Sequence, residues 1–205
     1  MDADLLQRQR QPLLIVLSGP SGAGKDAVLR RMKERGLPFH FVVTATTRPQ
    51  RPDEVDAVDY IFVSQDAFAG MIERDELLEY AIVYNDYKGI PKRQVRDALA
   101  SGLDVVLRID VQGAETVRAL SPEALLIFLS PPTEEELIAR LRERHTETDE
   151  SLKLRIATAV QEMKRVEFFD YFVANPHLRL DDTVDTILAI IQAEHHRTRP
   201  RKVLL

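Results

Sequence analysis

Leu13-Leu14-Ile15-Val16-Leu17-Ser18-Gly19-Pro20-Ser21-Gly22-Ala23-Gly24-Lys25-Asp26 decides the fold, because an apolar strand runs straight into a glycine loop that opens a helix. In that context the G-x-x-x-x-G-K spacing reads as a phosphate cradle. Glycines let the loop turn tightly so that consecutive backbone N–H groups point inward. The following helix adds its positive dipole end, and Lys25 adds a full charge on a flexible stem. A nucleoside triphosphate is the guest this loop suits, with Gly19, Pro20, Ser21, Gly22, Ala23, Gly24, Lys25 and Asp26 around its phosphates. An ordinary glycine turn gives no reason for a lysine at this position. The residue after the lysine ordinarily carries a hydroxyl that ligates Mg²⁺; here it is Asp26, a carboxylate that can ligate the same hard cation.

Outward from the loop, apolar runs alternate with helical patterns. Helix 26–35 stops at Gly36, and a β-rich strand over Phe41–Thr46 leads into a Pro-rich, charged loop over 48–58. Strands follow at 60–63 and 77–84 around a helix at 66–74. Pro91 opens a helix that closes at Gly102, and a strand over 104–110 ends in the carboxylate of Asp110. Helix 112–120, strand 124–130, a capping box at Thr133-Glu134-Glu135-Glu136, a charged helix 149–166, strand 171–174 and a last amphipathic helix 182–196 complete the chain. This alternation predicts an α/β fold with a parallel sheet flanked by helices and phosphates held at the strand C-terminal edges. Strands crowd together over about 41–88, which predicts a small mixed-sheet insertion. The segment over about 140–155 is dense in charge and poor in apolar anchors, as a mobile helical lid would be. Residues 1–11 read as a disordered leader and 193–205 as a solvated basic tail.

The 205 residues carry a formal net charge of −5, with 44% hydrophobic and 30% charged residues. One core domain suits that length. Excess negative charge argues against a general nucleic-acid or membrane-surface binder, so any anion site must be local. No apolar run approaches bilayer length, and with no cysteine there are neither disulfides nor thiolate metal sites. A cytoplasmic setting is expected.

Further motifs appear in a fixed order: Thr46-Thr47-Arg48 with Arg51 and Glu54; Asp59-Tyr60-x-Phe62-Val63-Ser64; Leu78-Glu79-Tyr80-Ala81; Asp110-Val111-Gln112-Gly113-Ala114; Thr146-Glu147-Thr148. With the glycine loop they make the chain resemble nucleoside monophosphate kinases of the guanylate kinase type over about residues 13–192. The resemblance implies a core, a lid and an acceptor-binding insertion. It also implies an ATP-dependent transfer that converts GMP to GDP, and dGMP to its own diphosphate, with Mg²⁺, and with ATP and GMP as small-molecule partners.

That reaction brings two polyanions together, so it needs positioning and local cations more than covalent chemistry. Arg48 and Arg51, three apart in a loop, suit the acceptor phosphate because guanidinium forks grip phosphate oxygens bidentately. Tyr60 can add a hydroxyl donor there. Guanine presents N1–H and N2–H₂ donors and so requires acceptors. The resemblance places Glu79 at the base, with Thr44 nearby and Asp110 within reach. It also places Arg140, Arg144 and Arg155 over the ATP phosphates and Asn175 at adenine.

Four positions depart from the family pattern. Asp26 replaces the loop hydroxyl, Arg108 stands where an acid is usual, Lys88 replaces a phosphate-binding tyrosine, and Ile90 replaces a Ser or Thr near the base. Lys88 keeps a donor for the acceptor phosphate and gains charge. Together they resemble a variant group typified by plant organellar enzymes. Two other readings compete. A catalytically inactive guanylate-kinase-like binding module would tend to lose the glycine loop and its lysine, which this chain keeps. A ribose 1,5-bisphosphate kinase would share Gly-Lys-Asp but leave Glu79 and the 110–114 motif without a purpose.

Overall fold

The computed structural model describes residues 10–52, 54–83, 85–142 and 149–205. Its centre is β1 (Leu14–Ser18), every residue of which is buried. Parallel neighbours on one side are β7 (Asp104–Arg108) and then β2 (Phe39–Phe41); on the other they are β8 (Leu125–Ser130) and then β9 (Tyr171–Ala174). Alternation along β1 sends Ile15 and Leu17 to one face and Leu14 and Val16 to the other. The first face packs on α1 (Lys25–Glu34) and α7 (Leu180–His195) through Val28, Met32, Val184 and Ile187. The second packs on α3 (Lys92–Ala100) and α4 (Val111–Leu120) through Val95, Ala98, Ala114 and Val117. Strands covered on both faces must be apolar throughout, which is why β1 and β8 read as unbroken hydrophobic runs.

A second, mixed sheet carries the strand order β4-β3-β6-β5, with β3 (Thr44–Thr46), β4 (Tyr60–Phe62), β5 (Leu77–Val83) and β6 (Asp86–Pro91). Helix α2 (Gln65–Glu73) buries Phe68 against it. Here the structure corrects the sequence reading. The single strand expected over 41–46 is two strands in two sheets. Val42 N–H still reaches the main sheet at Val106, but Val43 N–H donates to Gln94 Oε1 at 3.0 Å and Gln94 Nε2 donates back to Val43 O at 3.1 Å. A side-chain amide thus satisfies the backbone where the chain leaves one sheet for the other. Strand β6 was not expected at all, and Pro91, read as a first helical residue, ends β6 and caps α3.

After β8 come α5 (Glu134–Arg142) and α6 (Asp149–Met163). The centre of the expected lid, including Arg144 and Thr146-Glu147-Thr148, lies outside the described residues. So do residues 1–9 of the expected leader, but Arg10 donates to Asp104 at 2.6 Å, and His195 bonds the same carboxylate at 2.8 Å. Nor is the basic tail simply solvated. Arg201 is 6% exposed and donates to Glu194 at 2.7 Å and to Ala124 O at 3.2 Å. Burial works against the charge on Glu194, yet donors from Arg201, Tyr171 and Arg197 hold its carboxyl down to about 2. No helix among the described residues is long and apolar enough to cross a membrane.

Candidate functional site

The carboxyl edge of the main sheet and the inner face of the second sheet enclose a cleft of about 550 Å³. Its donor end is the loop after β1. Gly19 has φ 137°, and a Cβ there would fall inside the carbonyl oxygen of Leu129, so only glycine lets the loop lie on β8. Gly24, at φ 89°, caps α1 in the left-handed region and leaves room for the Asn175 amide. Lys25 Nζ donates to the carbonyls of Gly19 and Pro20, the latter at 3.0 Å, so its ammonium is folded back on the loop. Burial lowers its pKa, against the opposing charges of Glu162, Asp26 and Asp110.

At the other end stand Thr44, Glu79 and Asp110, with Tyr60 and Lys88 on the wall between the two ends. The register shifts between Leu77 and Glu79, and this bulge lets Leu78 enter the main core while its neighbour Glu79, also buried, faces the cleft. Glu79 packs on the first turn of α4, where a Cβ on Gly113 would come within 2.7 Å of Glu79 Oε2. Asp110 caps that helix by accepting from Gly113 N–H at 2.8 Å. Burial, with the charge of Asp110 behind it, pushes the Glu79 carboxyl up to about 8. Thr44 Oγ1 is buried with no hydrogen-bond partner among the described residues. A buried acceptor pair of this kind is completed by a ligand that donates. Burial, and then the charge of Lys25, lowers the Lys88 ammonium to about 8.

The two arginines expected at the acceptor phosphate are placed differently. Arg48 grips Glu54 with both Nη atoms, at 2.9 and 2.7 Å, and stacks 5.0 Å from the Tyr60 ring centroid. The carboxylate occupies the fork as a phosphate would. Arg51 is exposed, and its backbone N–H also donates to Glu54 at 2.9 Å. Arg140 spans Glu136 and the carbonyl of Asn175, at 2.5 and 2.7 Å, beside Gly24. Arg155 lies on α6, off the cleft wall, while Leu154, Thr158 and Glu162 of that helix line it.

Asn175, expected at adenine, buttresses the loop from behind. Its Nδ2 donates to Ala23 O at 2.9 Å and its Oδ1 accepts from Thr183 at 3.1 Å, which occupies the side chain. Asp26, expected as a Mg²⁺ ligand, has Oδ1 on Arg108 Nη1 at 2.7 Å, a partner the sequence reading did not include. Among the cleft residues not anticipated as site residues are Arg108 and Glu162. Arg108 was noted only as a departure. Glu162, whose Oε2 is buried without a partner among the described residues, belongs to no motif.

No group of three or more His, Cys, Asp or Glu residues among the described ones forms a metal-binding cluster. Mg²⁺ rarely needs one, because it keeps water and takes phosphate oxygens. The cleft offers it hard oxygen only, chiefly the Asp26 carboxylate beside Lys25, and that donor chemistry fits a cation carried in on a triphosphate.

A parallel sheet with a glycine loop and lysine at its carboxyl edge, facing a second sheet across a polar cleft, defines a P-loop nucleotide phosphotransferase. A family model described as guanylate kinase matches residues 11–194. The chain is 52% identical over 194 residues to guanylate kinase 2, chloroplastic/mitochondrial, of Oryza sativa subsp. japonica, covering 94% of this chain and 68% of that one. It is 44% identical over 183 residues to the guanylate kinase of Halalkalibacterium halodurans, covering 89% of each. The crystal structure of guanylate kinase from Anaplasma phagocytophilum aligns with a TM-score of 0.74 at 28% identity, over 93% of this chain and 89% of that one. The chain belongs to the guanylate kinase family, and the resemblance to plant organellar enzymes has its counterpart in the rice relative.

Proposed function

We propose that this enzyme transfers the γ-phosphoryl group of ATP to GMP, and to dGMP, giving ADP and the guanosine diphosphate. A single observation carries the reading: one cleft joins a triphosphate cradle to a buried Glu79–Thr44 acceptor pair, with cations along its wall. An oxygen of the acceptor phosphate attacks the γ-phosphorus. The bond from that phosphorus to the β–γ bridging oxygen breaks, and ADP leaves with the electron pair. Lys25 exchanges its carbonyl partners for the β and γ oxygens. Arg140, with Arg144 and Arg155, closes the donor side as part of a lid over 140–155. Arg48, Arg51, Tyr60 and Lys88 hold the acceptor phosphate, while Glu79, Thr44 and Asp110 read guanine. Mg²⁺, when bound, supplies charge neutralisation at the β and γ phosphates, and Asp26 is the carboxylate of α1 that would hold it or its water. A cytoplasmic setting belongs to the same reading.

The acceptor assignment is tested by calorimetric titration of Arg48→Ala and Arg51→Ala with each nucleotide. Loss of a charge-assisted bidentate contact, about 1.5 to 3 kcal/mol, should weaken GMP binding by about 10- to 100-fold for Arg48→Ala. ATP affinity should stay within about twofold, because neither arginine lines the cradle. Equal losses for both nucleotides would mean that these residues hold the insertion together and do not read the acceptor.

A further inference from the structure

Asp26 and Arg108 lie 82 positions apart, and each departs from the residue type expected at its place. In the structure they are one device. Arg108 ends β7 directly beside Leu17 of β1, two residues before the glycine loop begins. Its guanidinium is only 12% exposed and turns into the cleft, where it makes three contacts. Nη1 donates to Asp26 Oδ1 at 2.7 Å, on the first turn of α1. Nη2 donates to the carbonyl of Asp59 at 3.2 Å, in the second-sheet insertion. The plane lies 4.4 Å from the centroid of Tyr60, whose ring also receives Arg48. One cation therefore touches the donor cradle, the acceptor insertion and the aromatic wall between them.

Its electrostatic setting is a group of cations faced by the Asp26, Asp110 and Glu162 carboxylates of the same cleft. Lys25, Lys88 and Arg108 line the same cleft, and the charges of Lys25 and Arg108 both disfavour the ammonium of Lys88. The Lys88 ammonium has no hydrogen-bond or ion-pair partner among the described residues. Repulsion among the three cations is offset by these carboxylates, and an entering polyanion competes with them for the same cations. Asp26 is 58% exposed, so its hold on Arg108 faces solvent and is the contact most readily exchanged for phosphate.

We propose that Arg108 is a catalytic residue that meets the phosphoryl group in transit between donor and acceptor, and that Asp26 is the positioning residue that aims it. Asp26 fixes the fork at the height of the loop mouth. The entering phosphates take over one guanidinium nitrogen, while the Asp59 carbonyl and the Tyr60 ring keep the group in place. This assignment rests on the ATP and GMP reading of the cleft.

The experiment is a double-mutant cycle on the full chain, read by steady-state kinetics and by calorimetric binding of a bisubstrate analogue joining adenosine to guanosine through five phosphates. Arg108→Ala should lower kcat by about 10²-fold, as expected for loss of one cation aimed at transition-state charge, while KM for ATP moves by less than about threefold. Affinity for the bisubstrate analogue should fall much further than affinity for ATP or GMP alone. Arg108→Lys should recover part of kcat, and Asp26→Asn, measured at saturating Mg²⁺ so that any metal role of the carboxylate is not what is read, should cost about tenfold through loss of aim while Arg108 keeps its own charge. The double variant should be no worse than Arg108→Ala alone, because the two residues act as one unit. A folded Arg108→Ala protein with wild-type kcat and bisubstrate affinity overturns the proposal. So does a double loss equal to the product of the single losses. A wild-type enzyme that fails to phosphorylate GMP would overturn the substrate reading and this inference with it, whereas an active wild type with unchanged variants overturns the inference alone.

Discussion

Lys25→Ala should lose at least about two orders of magnitude in kcat while keeping its fold, the scale seen when one preorganised electrostatic stabiliser is removed. The lysine contributes little to the apo structure. Its ammonium bonds two loop carbonyls, Gly19 O and Pro20 O, in a cleft open enough for water to take its place. Burial already disfavours its charge in the empty protein, so truncation removes a desolvation cost along with the two hydrogen bonds. With ATP present the balance reverses, because β and γ oxygens replace neutral carbonyls and the ammonium meets charge where charge builds up. Steady-state kinetics beside a thermal melt checks this. Near-wild-type turnover by a folded Lys25→Ala protein would contradict the cradle assignment.

Glu79→Gln carries the second large effect, and pH reveals it. With its carboxyl pushed up to about 8, Glu79 is mostly protonated at neutral pH in the free protein. Guanine offers N1–H and N2–H₂ together, and a protonated carboxyl meets two donors with only one acceptor. GMP binding must therefore expel the proton below pH 8, so affinity should improve about tenfold per pH unit up to about 8 and then fall as Lys88, itself lowered to about 8, loses its charge. In Glu79→Gln that slope should vanish, and discrimination between GMP and AMP should fall because an amide donates as well as accepts. Stability moves the other way. A carboxyl whose folded-state pKa lies above its ordinary 4.5 stabilises the fold below 4.5, and that contribution is lost as pH rises through about 8. The loss is about 1.4 kcal/mol per pH unit. Glutamine has the same shape and never ionises, so apo Glu79→Gln should melt above the wild type at pH 8 and close to it at pH 4. A wild-type GMP affinity that does not change between pH 6 and 8 would contradict the buried, protonated acceptor.

The glycine loop was legible because its physics is local: glycine spacing, a strand before it and a lysine within it specify backbone shape and charge together. The parallel sheet was legible for the same reason, since β1 and β8 must be apolar on both faces. Features set by distant partners were not. The break between β2 and β3 depends on Gln94, some fifty residues away, and no local signal at Val42-Val43 announces it. Strand β6 contains Lys88, Gly89 and Pro91, a composition that argues against a strand, and it forms because β3 and β5 flank it. Glu79 is an unremarkable strand residue by pattern; its place at the base came from family resemblance, and its burial comes from a bulge and from Gly113. The tail looked solvated because its basic run reads as a charged terminus, yet Arg201 folds back on Glu194 at the end of α7 and reaches Asp170 just before β9. Asp26 and Arg108 were read as members of one variant group, but nothing in the sequence announced their contact, which the sheet register makes.

The central claim is that one cleft selects ATP at its glycine loop and a guanine monophosphate at Glu79. The most direct measurement is ADP release from ATP with GMP, dGMP, AMP, UMP and ribose 1,5-bisphosphate as separate acceptors, with the phosphorylated product identified in each case. The expected result is rapid formation of GDP from GMP, with AMP, UMP and the ribose bisphosphate slower by orders of magnitude. Turnover of ribose 1,5-bisphosphate in preference to GMP, or nucleotide binding with no transfer to any acceptor, would contradict it.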